Sequence, residues 1–166
     1  MTTRTEANVL ADAYESVRAL TRWYLSKMKE VDMFKEFEVD DKKLNSAYWV
    51  MAHLVWAENF LLLRALGGKP VDLPWLDQFG ISSTPVKRDT LPEVKHVLDE
   101  WKAVHVTAMT HVRSLPDDLL ATDNPAGFGF AGDNSYRMMI QHAIRHEAMH
   151  TGHLSWLCKL YGIKTV

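Results

Sequence analysis

Cysteine is almost missing from this chain: Cys158 is the only one among 166 residues. That excludes an intramolecular disulfide and any CxxC zinc or redox motif, and a reducing cytoplasm is the expected setting. Cys158 itself reads as an inert helix residue. Long apolar runs are missing as well. No stretch approaches the ~18 uninterrupted apolar residues of a membrane span, and the opening MTTRTEANVLADAYES carries no apolar signal core. No membrane partner is expected. Charge of either sign is not in excess: Lys+Arg is 19 and Asp+Glu is 21, a formal net charge of −2 with neutral histidines. With no basic run, DNA and RNA are not expected partners. Alternating strand patterns of useful length, internal repeats and low-complexity tracts are lacking too.

What is present is ordinary globular material, 47% apolar and 24% charged, enough for a single domain over residues 1–166. Its periodicity is helical. Leu10, Ala13, Tyr14, Val17, Leu20, Tyr24 and Met28 recur three or four apart, one face of a first helix. A polar stretch, KEVDMFKEFEVDDKK, contains a turn. Asn45 or Ser46 would cap a second helix through AYWVMAHLVWAENFLLLRAL, stopped by Gly67-Gly68. A long connection over residues 67–90 follows. Its Trp75, Leu76, Phe79 and Ile81 predict a loop packed against the body rather than a free linker.

Thr90-Leu91-Pro92-Glu93 has the form of a capping box with proline in the first turn of a third helix. Val94, Val97, Leu98, Trp101, Val104, Ala108 and Val112 would form its inner face, and Pro116 would close it. The loop PDDLLATDNPAGFGFAGDN then leads to Asn134 or Ser135 as cap of a fourth helix, running to Tyr161 and ending at Gly162. The expected fold class is all-α: a four-helix bundle with long connections between helices 2–3 and 3–4.

The fourth helix carries His142, His146, His150 and His153. At ~100° per residue, His142 and His150 lie about 40° to either side of His146, and His153 about 20° away. Met139, Ala143, Met149, Leu157 and Leu160 share that sector, so the stripe is expected in the middle of the buried face. His53 stands on the second helix among Trp49, Ala57 and Phe60. One buried histidine is easily satisfied by a carbonyl or a hydroxyl. Four facing a fifth are not, because helical carbonyls are already bonded, and an unpaired buried polar group costs ~1–3 kcal/mol. A divalent cation accepting lone pairs from neutral imidazoles resolves this. The i,i+4 pair His146 and His150 with His53 is the expected ligand set, level with one another if helices two and four run parallel. His142 and His153, a turn to either side, are then groups behind the ligands or facing substrate. His105 belongs to the inner face of the third helix; His96 and His111 are expected in solvent.

His146-Glu147-Ala148-Met149-His150 also matches the HExxH pattern of zinc proteases. Three features oppose that reading. Only 16 residues follow His150 to supply a third ligand. His153 is poorly placed on the same straight helix, and no edge strand is expected that would hold an extended peptide. Glu147, about 100° from His146, is expected at the side wall or surface, among the groups behind the ligands or near substrate, rather than as a general base.

Two segments, Ala52-His53-Leu54-Val55-Trp56-Ala57-Glu58 and His146-Glu147-Ala148-Met149-His150-Thr151-Gly152-His153-Leu154, resemble the DinB/YfiT-like superfamily of four-helix metalloproteins. That family usually shows H-x-x-x-H-x-G-Q near its C-terminus; His153 stands where glutamine is common. Helix order, the long second connection and chain length agree over nearly the whole sequence. The resemblance implies a three-histidine divalent site at His53, His146 and His150 holding zinc, nickel or iron. It also implies a thiol-dependent S-transferase or isomerase chemistry with a low-molecular-weight thiol. Three protein ligands leave open positions, where a thiol would become a nucleophile and a water would give a hydrolase. The substrate expected is a small molecule. The competing expectation is a non-catalytic metal-binding or stress-response bundle, since fold alone does not carry activity.

Two weaker signals remain. Gly127-Phe128-Gly129-Phe130-Ala131-Gly132 formally matches GxGxxG, but no strand precedes it. Phe128 and Phe130 are better read as aromatic residues of a loop at the mouth of a pocket. The second helix is apolar nearly all round, so either the Trp75 connection or a second subunit must cover it; a homodimer is the expectation.

Overall fold

The structure, a computed structural model, describes residues 4–81 and 88–165. Residues 82–87 of the long second connection lie outside the described residues. Among the described residues the fold is all-α apart from one small hairpin. Helix α1 is Glu6–Lys27, α2 is Ala47–Glu58, α3 is Val94–Ser114 and α4 is Tyr136–Leu160. Helix α1 packs along α4 and α3, and α2 packs along α4 and α3. No helix among the described residues is long and apolar enough to cross a membrane.

The caps follow the side-chain chemistry. Thr5, Ser46 and Ser135 each accept a backbone N–H of the first turn of α1, α2 and α4 through their side chains. Helix α2 runs on into a π turn, Asn59–Leu63, and a 3-10 turn, Arg64–Leu66, before Gly67 ends it with φ +74. The wider π turn presents Leu61, Leu62 and Leu63 to the interior together. Asn59 pins the returning chain there, bonding both the amide and the carbonyl of Val71 at 2.9 Å. At α3 the expected capping box does not form. The helix starts at Val94 with Glu93 as N-cap and no side-chain cap bond, because Pro92 holds the preceding residue out of helical conformation.

The polar stretch after α1 forms an antiparallel hairpin, β1 (Phe37–Val39) with β2 (Lys42–Leu44), pairing Val39 with Lys42. Its two-residue turn puts Asp40 and Asp41 at positive φ, the tight hairpin geometry that asparagine, aspartate and glycine tolerate. Within the second connection, Pro74–Phe79 forms a 3-10 turn with Leu76 and Phe79 buried against α2, whereas Ile81 is exposed. That turn covers α2 from within the same chain, so the apolar surround of α2 needs no second subunit to explain it.

The apolar interior falls into two halves. One joins Tyr24–Met28, Ala47–Val55, Val97–Val104 and Leu154–Cys158; the other joins Ala7–Tyr14, Ala57–Leu66, Ala108–Val112 and Tyr136–Ala143. Between them each helix contributes buried or half-buried polar side chains: Arg18 and Thr21, His53 and Glu58, His105, and His146, Glu147, His150 and Thr151. The three converging histidines lie in this mid-height polar layer.

Candidate metal centre

His53 is set by its own helix. Trp49 and Trp56, four before and three after it, stack on its ring with centroids 4.7 and 5.7 Å away and interplanar angles of 11° and 18°. Its Nδ1–H donates to the Phe79 carbonyl at 2.6 Å. This fixes the tautomer, leaving Nε2 with a lone pair aimed inward. The second connection therefore orients this histidine, which explains why a packed loop was needed there.

From α4, His146 presents Nε2 to His53 Nε2 at 3.1 Å. The His150 ring centroid lies 4.7 Å from that of His53 and 4.6 Å from that of His146. One ligating atom from each of the three residues lies within 4.8 Å of the other two. Burial pushes the His146 imidazole down to about 4 and His150 down to about 3, with neighbouring histidines acting in the same direction. Burial also lowers His53, against the opposing hydrogen bond to Phe79. The three rings are thus neutral at pH 7, the state in which imidazole is a ligand. At Zn–N distances of about 2.0–2.1 Å, donors on one cation sit roughly 3–3.4 Å apart. The 3.1 Å between two inward Nε2 atoms fits a shared cation.

The remaining histidines are elsewhere. His153 meets His150 at Nδ1, 3.2 Å from its own Nδ1, which leaves His150 Nε2 for an ion. His142 is stacked under Phe130, centroids 3.3 Å apart, and Phe128 sits edge-on to Phe60 and Phe130. The two loop aromatics thus close the His142 flank. His105 bonds Glu58 and His96 is largely exposed beside Glu100. His111, expected in solvent, is instead half-buried and donates to the Leu66 carbonyl at 3.0 Å.

Glu147 departs from expectation most. It is 1% exposed, not at a side wall. Arg18 Nε donates to its Oε1 at 2.8 Å and the Thr21 hydroxyl does so at 2.7 Å. Arg18 Nη2 also lies 2.7 Å from Glu58 Oε2, close enough for ion pairing though out of line for a hydrogen bond. The His105 Nδ1 to Glu58 Oε1 contact, 2.7 Å, completes a chain across α1, α2, α3 and α4. The guanidinium stacks 4.1 Å over the Trp101 ring. Burial alone pulls Arg18 down, but Glu58, Tyr14 and Glu147 outweigh it and hold its pKa above the ordinary arginine value. Sequence reasoning missed this cluster. Its signal was present: Arg18 lies one turn from Tyr14, and Glu58 stands on a helix that is apolar apart from His53.

The histidine stripe is accordingly at the edge of the buried face of α4, not its middle. Ile140, Ala143, Glu147, Thr151, Leu154 and Cys158 form the centre, whereas Met149 is 54% exposed. Cys158 lies on α4 and is buried, and burial raises its thiol pKa, which keeps it protonated.

One close approach supports the Trp56–His53 stack. A Cβ on Gly80 would sit 3.1 Å from the Trp56 ring. Gly80→Ala is expected to cost about 1–2 kcal/mol by overpacking, read as a lower urea midpoint with a changed tryptophan emission.

Three imidazoles from two helices of an all-α fold, held neutral and turned toward one point, define a candidate divalent-metal protein. A sequence model of the DinB superfamily matches residues 13–154, and the chain belongs to that superfamily. Among curated proteins none matches the chain significantly.

Proposed function

We propose that the chain is a divalent-metal-dependent enzyme built as a single four-helix-bundle domain of the DinB type over residues 1–166. His53, His146 and His150 hold the ion. The observation that carries the reading is the pair of Nε2 atoms from different helices facing each other at 3.1 Å with the third ring alongside. Two neutral lone pairs at that distance repel unless a proton or a cation lies between them.

A zinc, nickel or iron ion in this site would supply a Lewis-acid centre at which a small thiol or a water becomes a nucleophile at neutral pH. The residues do the rest. The Phe79 carbonyl and the two tryptophans keep His53 in one tautomer and one orientation. His150 is oriented by His153, and the loop aromatics Phe128 and Phe130 shield the His142 side from water. Glu147 is held by Arg18 and Thr21, so it is unavailable as the general base of a protease. We favour a thiol-dependent S-transferase or a hydrolase of a small molecule, in a cytoplasmic setting, as a homodimer.

The non-catalytic alternative, a metal-stabilised binding or stress-response bundle, needs a closed four-ligand shell. Among the described residues the converging group consists of three histidines, with His142, His153 and His105 engaged elsewhere, which favours the catalytic reading.

Elemental analysis of the natively expressed protein beside His53→Ala and His150→Ala tests the assignment. About one ion per chain in the parent, and at least tenfold less in each variant at matched chelator, is the expected result. Full metal retention in both variants would overturn it.

A further inference from the structure

A cleft of about 720 Å³ separates the β1–β2 hairpin from the C-terminal half of α4. The hairpin and the start of α2 give it Val39, Leu44 and Val50; α4 gives it Trp156, Leu157 and Leu160. Much of this apolar surface is open. Trp156 is 65% exposed, Val39 47% and Leu160 39%, and Met149, two turns before Trp156 on the same face of α4, is 54% exposed. Soluble monomers seldom leave a contiguous apolar patch of more than a few hundred Å² in water. The 3-10 turn that covers α2 does not reach this face: Leu76 and Phe79 pack on α2.

We propose that a second copy of the chain docks on this face about a two-fold axis, with Trp156 of each copy entering the cleft of the other. This assigns the homodimer reading above to a surface and uses nothing of the metal reading. The first support is shape. One face carries both a groove and, on its rim, a projecting indole able to fill one, and a two-fold interface requires a patch that matches itself. The second is charge. Lys43 on the cleft rim is paired with Glu36 at 3.3 Å. Asp40 and Asp41, at the hairpin turn beside Val39, are in no ion pair among the described residues, and neither is Lys159, whose Nζ lies 5.0 Å over the Trp156 ring. With that indole in the other copy's cleft, Lys159 comes beside the other copy's Asp40-Asp41 turn, so the two acidic side chains and the amine meet across the axis. The third is area. From Met149 to Leu160 the helix runs about 17 Å, and helix plus two strands are about 20 Å wide. With side-chain relief such a face buries on the order of 600 Å² per copy, the lower edge of what stable interfaces need. A micromolar dimer is expected.

Sedimentation velocity of the full chain from 1 to 200 μM, a range set about that micromolar expectation, tests this. The parent should pass from monomer to dimer within it. Trp156→Glu, at an exposed position, should raise the dissociation constant at least tenfold with unchanged far-UV circular dichroism. Lys159→Glu should also weaken the dimer, and adding Asp40→Asn and Asp41→Asn, which the hairpin turn tolerates, should restore part of the loss. Contact between hairpin and opposite helix is read separately: a Val39→Cys chain mixed with a size-tagged Trp156→Cys chain should give a mixed disulfide on mild oxidation. A parent that stays monomeric overturns both this interface and the homodimer reading. A dimer indifferent to Trp156→Glu leaves the homodimer standing and overturns the interface. A dimer lost in Trp156→Glu without the mixed disulfide overturns the seating of the indole in the opposite cleft.

Discussion

Replacing Arg18 with methionine is expected to destabilise the protein by about 3–5 kcal/mol, the usual consequence of stripping the partner from buried charges. The Arg18 side chain is 3% exposed, and those of Glu58 and Glu147 are 0% and 1% exposed. Without the guanidinium, two carboxylates face each other in the polar layer with hydroxyls and one imidazole for company. A domain of this size has only about 5–15 kcal/mol in total, so the variant should populate unfolded chains well below the parent's urea midpoint. The same reasoning predicts rescue. Arg18→Met combined with Glu58→Gln and Glu147→Gln removes the orphaned charges and should recover most of the loss, because a buried ion pair is not intrinsically better than neutral packing. Urea unfolding followed by far-UV circular dichroism measures both. Equal midpoints for parent and single variant would show that the carboxylates do not depend on Arg18. A triple variant no better than the single one would show that the guanidinium matters for its packing on Trp101 instead.

That cluster marks where the sequence is least legible. Helix existence, the Ser46 and Ser135 caps and the Gly67 stop depend on local chemistry, and local chemistry is visible in a one-dimensional string. The hairpin at Asp40-Asp41 is short enough to escape notice as anything but a turn. Helical faces are harder, because a wheel is oriented by assuming that charges point outward. Arg18 and Glu147 break that assumption together. Each is buried only because the other is, on a helix far away in sequence, and neither reading improves until both are known. With Glu147 counted as polar surface, the buried face of α4 was turned toward the histidines, and Met149 and Leu160 were placed inside although they are exposed. On α1 the same error favoured Leu20, which is 47% exposed, over Arg18.

The convergence of His53, His146 and His150 survived this misorientation because it rests on spacing, which a rotated wheel does not change. What spacing could not supply is the orienting hardware. The bond from His53 to the Phe79 carbonyl joins residues 26 apart through an irregular turn. The bond from His153 to His150 was within reach, being i,i+3 on one helix. The sequence treats His142 and His153 as equivalent turns above and below the centre, whereas one is capped by Phe130 and the other opens onto a cleft. That asymmetry is a property of the loops.

The second large effect concerns protons and metal. Chelator-treated protein should lose stability as pH falls from about 6.5 toward 4, on the order of 3 kcal/mol by pH 5. The direction follows from the histidines. Burial, first, and neighbouring imidazoles hold His146 near 4 and His150 near 3, with His53 and His142 also lowered. An unfolded histidine takes a proton at about 6.5. Between these values the unfolded chain binds more protons than the folded one, so acid favours unfolding. Above about 6.5 both states are neutral and the contribution is fully present; below about 3 both are charged and no further loss comes from these residues. Ordinary carboxylates titrate in the lower part of this range, so the stretch from pH 6.5 to 5 isolates the histidines. Zinc or nickel should raise the curve everywhere above pH 5, by about 4 kcal/mol at a thousandfold excess over the dissociation constant. It should also steepen the acid side, since each bound ion must be displaced by protons. His146→Leu should both flatten the pH dependence of the metal-free protein and remove the response to metal. Thermal or urea midpoints that stay level from pH 7 to 5 in the metal-free chain would mean that these rings are not buried together as neutral imidazoles. In that event the geometric argument for a shared cation would fail with them.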